Sequence, residues 1–298
     1  MMTEAEFLVA LRRLPLHPGA LGLCDDAARL DDLVLTTDTI VEGVHYLPDD
    51  VPADVAWKLL AVNLSDLAAK GAAPEGVLLN YPLGDDRWDR AFLEGFGEAL
   101  NAFGTDILGG DTVALPHGAS RFISLTAIGR ATVAPARIGA RAGDLLYVTG
   151  TIGDAGAGLR IALGEDGPAA LALAYRRPQP RLTEGRALAP IASAMMDVSD
   201  GLLLDAERMA AASGLAVTIE LDVIPLSDDC RAFLGDDRTA RLTAATAGDD
   251  YQLLFAASPD VEPPVPATPI GRFREGAGLG LTDKGTPVPL PDRLGFKH

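Results

Sequence analysis

The chain has 298 residues, with 25 Lys plus Arg against 42 Asp plus Glu and a formal charge of -17. That balance repels phosphate backbones and anionic bilayers at long range, so neither nucleic acid nor a membrane surface is an expected partner. A hydrophobic fraction of 48% with 22% charged residues is that of a globular protein, and the length suits two domains better than one.

In chain order, the opening MMTEAEFLVALRRL sets two Glu ahead of its apolar residues and lacks a small-residue cleavage site. It reads as an amphipathic helix over 3–14, not a secretory signal. A strand over 32–37, a helix over 53–72, a strand over 75–83, a helix over 86–103 and strands over 105–109 and 120–130 follow. The stretch 131–144, ATVAPARIGARAGD, collects small residues, Pro and Gly between two strands. It is the expected boundary, dividing the chain into domains over 1–136 and 137–298. Beyond it the periodicities predict strands over 144–150, 215–221, 250–257 and 268–273, and helices over 153–163, 180–194, 201–213 and 237–247. Helices and strands alternate in both halves, so the class is α/β or α+β. The Pro-rich 259–269 reads as a stiff surface loop. No apolar run approaches the ~20 residues that span a bilayer. Cys24 and Cys230 form neither a disulfide framework nor a CxxC site, which places the protein in a reducing cytoplasm.

Several carboxylates share one context, the end of a regular element. They are Asp25 and Asp26 in LCDDAARL, Asp38 in TTDT, Asp111 in ILGGDT, Asp197 and Asp200 in MMDVSDG, and Asp249 and Asp250 in AGDDYQLLF. Each alone reads equally well as a turn or N-cap residue. Jointly they point to loops converging at the ends of neighbouring strands. Two carboxylates about 4 Å apart repel by roughly 4 kcal/mol at an effective dielectric near 20, which protonation or a cation relieves. An oxygen-only set, with the hydroxyls of Thr36 and Thr37 beside Asp38, suits Mg2+; calcium is the rival ion, but no EF-hand spacing is present.

In WKLLAVNLSDLAAKGAAP, Asn63, Asp66 and Lys70 share one helix face. A polar stripe on a largely apolar helix is either a solvated face or a set of side chains lining a site. Phosphate binding needs donors too, and LGGDT and VTGTIGDAGAGL are Gly-rich candidates that match neither GxxxxGK[ST] nor GxGxxG. Arg137 is a candidate to offset phosphate charge; His45 reads as a base, a ligand contact or a surface residue. Beside two carboxylates Cys24 is expected to be passive.

Together, CDDAA, TTDTIVEGVHY, DVAWKLLAVNLSDLAAKGAAP, LGGDT, VTGTIGDAGAGL, MMDVSDGLLLD and GDDYQLLF resemble the thiamine-phosphate kinase family from about residue 20 to the C-terminus. The resemblance implies transfer of the ATP γ-phosphoryl group to thiamine monophosphate. It also implies an N-terminal α/β domain whose mixed sheet forms a barrel across a homodimer and a C-terminal α+β domain, a fold shared with aminoimidazole ribonucleotide synthetase and selenophosphate synthetase. It implies that Asp26, Thr36, Thr37, Asp38, Asp66, Asp111, Asp197 and Asp200 hold several Mg2+ ions. Gly110, Asp111, Arg137 and Ser199 are then expected at ATP, and His45, Asp249 and Phe296 at the thiamine compound. No protein nucleophile is expected. Two departures stand out, Cys24 where the family usually has Gly and Asp249 where it usually has Glu. The competing readings are another ATP-using enzyme of the same fold, acting on a purine precursor or selenide, a non-catalytic Mg-nucleotide binder, and a two-metal phosphohydrolase.

Overall fold

The acidic chain folds around two sheets, described by a computed structural model over residues 2–116 and 118–296. Thr3 caps α1 (Glu4–Leu11) through a reciprocal box: its hydroxyl accepts from Glu6 N, and its own N–H donates to the Glu6 carboxylate. The N-terminal sheet comprises β1 (Ala28–Leu30), β2 (Leu33–Val41), β3 (Ala73–Leu83), β4 (Ile107–Ala114) and β5 (Phe122–Arg130), with α2 (Pro52–Ala69) and α3 (Asp86–Phe103) between strands. The spatial order is β1-β2-β5-β3-β4. All pairs are antiparallel except β3–β4, which α3 joins as a crossover. Pro52 sits in the first turn of α2, and Asp85 caps α3 by accepting from Trp88 N. Both helices cover one face of the sheet, burying Leu59, Leu64, Phe92 and Phe96 against Ile123 and Leu125. On the other face Leu35, Thr37, Thr39 and Thr126 stay partly or fully exposed.

The second half comprises β6 (Leu145–Thr149), α4 (Asp154–Ala162), α5 (Ala169–Arg176), α6 (Leu182–Leu188), β7 (Ala194–Asp197), α7 (Leu202–Ala212), β8 (Ala216–Glu220), α8 (Asp228–Leu234), α9 (Arg238–Ala245), β9 (Leu253–Ala257), β10 (Ala267–Arg274), β11 (Gly278–Asp283) and β12 (Thr286–Val288). Its seven strands run β12-β11-β8-β10-β6-β9-β7. Val148, Met196, Leu202, Met209, Leu254 and Phe273 lie in its core. Among the described residues no helix is long and apolar enough to cross a membrane.

The structure departs from the sequence expectations in instructive places. The helix expected over 180–194 ends at Leu188, and after Pro190 the apolar AMMD becomes the buried strand β7. The strand expected over 105–109 runs on through two glycines to Ala114. Gly110 lies so close to β3 that a Cβ would sit 1.8 Å from Leu79 O, so LGGDT is a close-packed edge strand rather than a phosphate turn. The strand expected from 250 starts at Leu253, because Asp249 and Tyr251 both take positive φ. The short helices α5 and α8 and the strands β11 and β12 carry too few residues for a clear period.

The two halves meet along α2. Trp57 Nε1 donates to Pro178 O at 3.0 Å, and Arg177 pairs with Asp54 at 2.5 Å and Glu98 at 2.8 Å. Gly185 of α6 lets the helices touch, since a Cβ there would lie 2.0 Å from Ala68 O. Gly185→Ala is expected to force the halves apart and lower unfolding free energy by about 1–3 kcal/mol. Urea denaturation checks this; an unchanged midpoint contradicts such close packing.

Candidate functional site

The polar stripe on α2 faces inward. Nearly the whole helix is buried, so each polar group on it meets a partner from another element. Asn63 Oδ1 accepts from the backbone N–H of Asp38 at 2.9 Å, tying the middle of β2 to the helix. Asp66 accepts from the Thr36 hydroxyl, and Ser65 Oγ donates to Asp197 Oδ2 at 2.5 Å. Lys70 Nζ donates to Asp25 Oδ1 at 2.5 Å and to Met195 O at 3.1 Å, and lies 2.7 Å from Asp26 Oδ2. Arg137, from the segment joining the halves, donates to Asp26 Oδ1 through Nε at 3.1 Å and through Nη2. One helix thus gathers the DDA, TTDT and MMDVSDG motifs.

Strand alternation separates the two threonines. Thr36 is buried on the face shared with Asp38 and turned to α2, whereas the Thr37 hydroxyl lies on the open face, donating to Leu125 O at 3.0 Å. The two hydroxyls therefore stand on opposite faces of β2.

The DVSD and GDDY loops are laced together. Val198 N donates to Gln252 O, Tyr251 N to Val198 O and Asp249 N to Ser199 O, at 2.7 to 2.8 Å. Asp205, buried at the start of α7, accepts from the N–H groups of Ser199, Asp200 and Gly201 at 3.1 to 3.2 Å. Arg208 then binds both Asp205 and Asp200. Phe296 N donates to Asp200 O at 2.8 Å, bringing the C-terminal segment to this loop. The neighbouring Asp250 turns away: both its oxygens accept from Gly153 N, at 2.9 and 3.0 Å. The amide that opens α4 is thereby satisfied inside the protein, which corrects the reading of TIGDAGAGL as a phosphate turn.

At the other end of α2, the buried Lys58 joins two residues expected at the substrate. Its Nζ pairs with Asp249 Oδ2 at 2.6 Å, donates to His45 O at 3.0 Å and lies 4.2 Å from the Tyr175 ring centroid. His45 Nδ1 accepts from Val41 N, and Tyr251 donates to Asp249 Oδ1, both at 3.0 Å. Gly110 and Asp111 stand apart on β4, with β3 and β5 between them and β2, about 14 Å at the usual strand spacing.

Burial, then the charges of Asp38, Asp197 and Asp26, pushes the Asp66 carboxyl well above its usual range. Burial, followed by Asp26, raises Asp197 to about 8. Burial raises Asp205 to about 7, with Asp200 adding to it. Burial alone would raise Asp26 too, but Lys70 and Arg137 outweigh it and hold it low. The site therefore has two electrostatic zones, a cation-compensated Asp25–Asp26 pair and a buried Asp66–Asp197 pair that meets only hydroxyls and whose carboxyls are raised. Among the described residues no three Asp, Glu, His or Cys side chains are grouped tightly enough to hold one metal ion as they stand. The donor chemistry nonetheless fits an oxygen-liganded divalent ion: the group offers carboxylates and hydroxyls, and a buried excess of negative charge is what such an ion relieves.

Sequence reasoning did not single out Lys58, Ser65 or Asp205. Lys58 and Ser65 were legible only as members of an apolar-looking helix. Asp205 had a signal, an acid within the first turns of a helix after SDG, where it can gather three successive amides.

Comparison with known proteins agrees in both halves. Residues 24–131 match the family model of the AIR synthase related protein, N-terminal domain, and residues 141–281 that of its C-terminal domain. The chain is 40% identical over 323 residues to the thiamine-monophosphate kinase of Caulobacter vibrioides, covering 99% of this chain and 91% of that protein. It is 37% identical to the enzyme of that name from Escherichia coli, covering 93% and 91%. The solved structure of AaThiL complexed with AMPPCP and TMP superposes with a TM-score of 0.87 at 31% identity, over 100% of this chain and 97% of that one.

The raised carboxyls set a pH dependence. A carboxyl whose folded pKa exceeds its unfolded value, near 3.9, keeps its proton in the folded chain after the unfolded chain has lost it. Stability therefore falls as pH rises between the two values. For Asp205 and Asp197 that window ends near 7 and 8. Metal-free protein should melt at a higher temperature at pH 6 than at pH 8.5 by calorimetry in EDTA; the reverse order would contradict carboxyls that burial keeps protonated.

Proposed function

The chain belongs to the thiamine-monophosphate kinase family, within the AIR synthase related fold, and we propose that it transfers the γ-phosphoryl group of ATP to thiamine monophosphate, giving thiamine diphosphate. The observation that carries this reading is the inward stripe of α2, which places an acidic group of Asp38, Asp66 and Asp197 at its middle and the Lys58–Asp249–His45 cluster nearer its start.

The acceptor is itself a phosphate, so an in-line displacement needs positioning and charge compensation and no protein nucleophile. Mg2+, when bound, supplies compensation for the phosphate charges. We assign it to Asp38, Asp66 and Asp197, with Thr36 beside them and Asp26 and Asp200 at the margins. Asn63 holds Asp38 in place through the backbone, and Asp205 holds the 199–201 amides in the loop that carries Ser199 toward the nucleotide. Arg137 reaches the same loop end from Asp26. Lys58 fixes Asp249 and the His45 turn, and with Phe296 beside Asp200 these residues form the thiamine-phosphate end.

The finer architecture follows from β4. It is an edge strand exposed on both faces, with Ile107, Leu108 and Val113 at 53%, 56% and 51% exposure, a surface that calls for a partner. We assign that partner to a second copy, whose sheet completes a barrel and brings Gly110 and Asp111 to the nucleotide site. The domain boundary is placed at 136/137, between the two sheets. The free thiols of Cys24 and Cys230 suit a cytoplasmic setting.

Incubation with ATP, Mg2+ and thiamine monophosphate should yield thiamine diphosphate and ADP, and no product with a chelator; inorganic phosphate released without acceptor would instead support a hydrolase. Asp66→Asn should lower kcat by on the order of 100-fold, the loss of about 3 kcal/mol of charge compensation. The same change should raise the melting temperature of the metal-free protein, because it removes buried charge. Retained turnover removes Asp66 from the site. Leu108→Lys should shift a dimer toward monomer in sedimentation; a wild-type monomer would overturn the barrel.

A further inference from the structure

The segment that carries His45 is held from the opposite half of the molecule, by a carboxylate that the metal and nucleotide readings leave unused. Asp50 is 7% exposed and lies five residues beyond His45. Its Oδ2 accepts from Leu47 N at 2.8 Å and from the Tyr175 hydroxyl at 3.1 Å, and its Oδ1 accepts from Arg176 Nε at 3.2 Å. One side chain thus closes the 47–50 turn of the N-terminal half and grips two consecutive residues of α5 in the second half. Burial, followed by the charge of Asp50, pushes the Tyr175 hydroxyl up, so it keeps its proton and donates. Tyr175 works at both ends. Its ring lies 4.2 Å from Lys58 Nζ, the ammonium that pairs with Asp249 and donates to His45 O. His45 comes from the N-terminal half and Asp249 from the second, so their spacing depends on ties that cross between the halves. Asp50 is such a tie, and it lands on the His45 segment itself.

We propose that Asp50, gripped by Tyr175 and Arg176, is a positioning residue for the thiamine-phosphate end: it sets the His45 turn against Asp249 by fastening that turn to the half from which Asp249 comes. This rests on the kinase reading above. The consequence is that the hold on the thiamine compound depends on α5, whereas the hold on nucleotide does not.

The test is steady-state kinetics with thiamine monophosphate and ATP varied in turn, beside the melting temperature of each variant. Asp50→Ala should raise the KM for thiamine monophosphate about tenfold and leave that for ATP within about twofold. Tyr175→Phe keeps the ring over Lys58 and loses only the hydroxyl, so the same KM should rise about threefold, the scale of one hydrogen bond. Asp50→Asn can still accept from Leu47 N and Tyr175, and should recover most of the wild-type value. A melting temperature that falls while the KM for thiamine monophosphate stays put makes the contact purely structural and overturns the proposal, as do equal rises in both KM values. Should Asp50→Ala not fold, Tyr175→Phe decides on the same two constants. Wild-type turnover with unaltered variants overturns this proposal alone; no wild-type turnover of thiamine monophosphate overturns the kinase reading with it.

Discussion

The structure depends on one constraint: negative charge buried against α2 must be met by positive charge or carry protons. At an effective dielectric near 20, a pair of carboxylates about 4 Å apart costs roughly 4 kcal/mol, comparable to a large part of a domain's net stability. The helix meets this with Lys58 and Lys70, 12 residues apart in the sequence and hence about 18 Å along the axis. Each holds acidic residues from distant loops, Asp249 at one end and Asp25 with Asp26 at the other. Between them the helix offers only neutral partners, the Asn63 amide and the Ser65 hydroxyl, beside its own Asp66. Asp66 and its neighbour Asp197 therefore lie between two fixed cations.

The loops that carry acidic motifs divide into those that meet the site and those that build it. Asp205 and Asp250 are the clearest builders. Each spends its oxygens on backbone amides, the first on the 199–201 loop and the second on the start of α4. Asp249 and Tyr251, in contrast, accept positive φ, a cost of order 1–3 kcal/mol each. That twist sends Asp249 to Lys58 and its neighbour Asp250 to Gly153. Adjacent acids in one tetrapeptide thus take opposite duties, and the strained backbone between them makes the division.

Much of this was legible in the sequence and some was not. Asp26, Asp197, Asp200 and Asp249 do stand at element ends, but Asp38 and Asp111 lie inside β2 and β4, which run on past the expected strand ends; the α2 stripe was readable because helical spacing puts residues 63, 66 and 70 on one face. Periodicity alone left that stripe open between solvent and site; only the packing of β7 and β2 on the helix decides it. Thr36 and Thr37 face opposite ways because adjacency in sequence is opposition in a strand, and the extent of β4 was missed because glycines signal turns far more often than tight strand pairing. Lys58 escaped because a lysine on an apolar helix usually snorkels to water. It does not here, since Asp249, from a loop remote in the chain, reaches in to meet it.

An acidic protein binding two anionic substrates would face repulsion at every approach were its charges fixed. Fixed cations answer part of this: Lys70 and Arg137 pair with Asp25 and Asp26 where the two halves join. Asp66 and Asp197 meet the hydroxyls of Thr36 and Ser65 instead, which bring no charge. The pKa directions follow the same line, low at Asp26 beside its fixed cations and high at Asp66 and Asp197 without them.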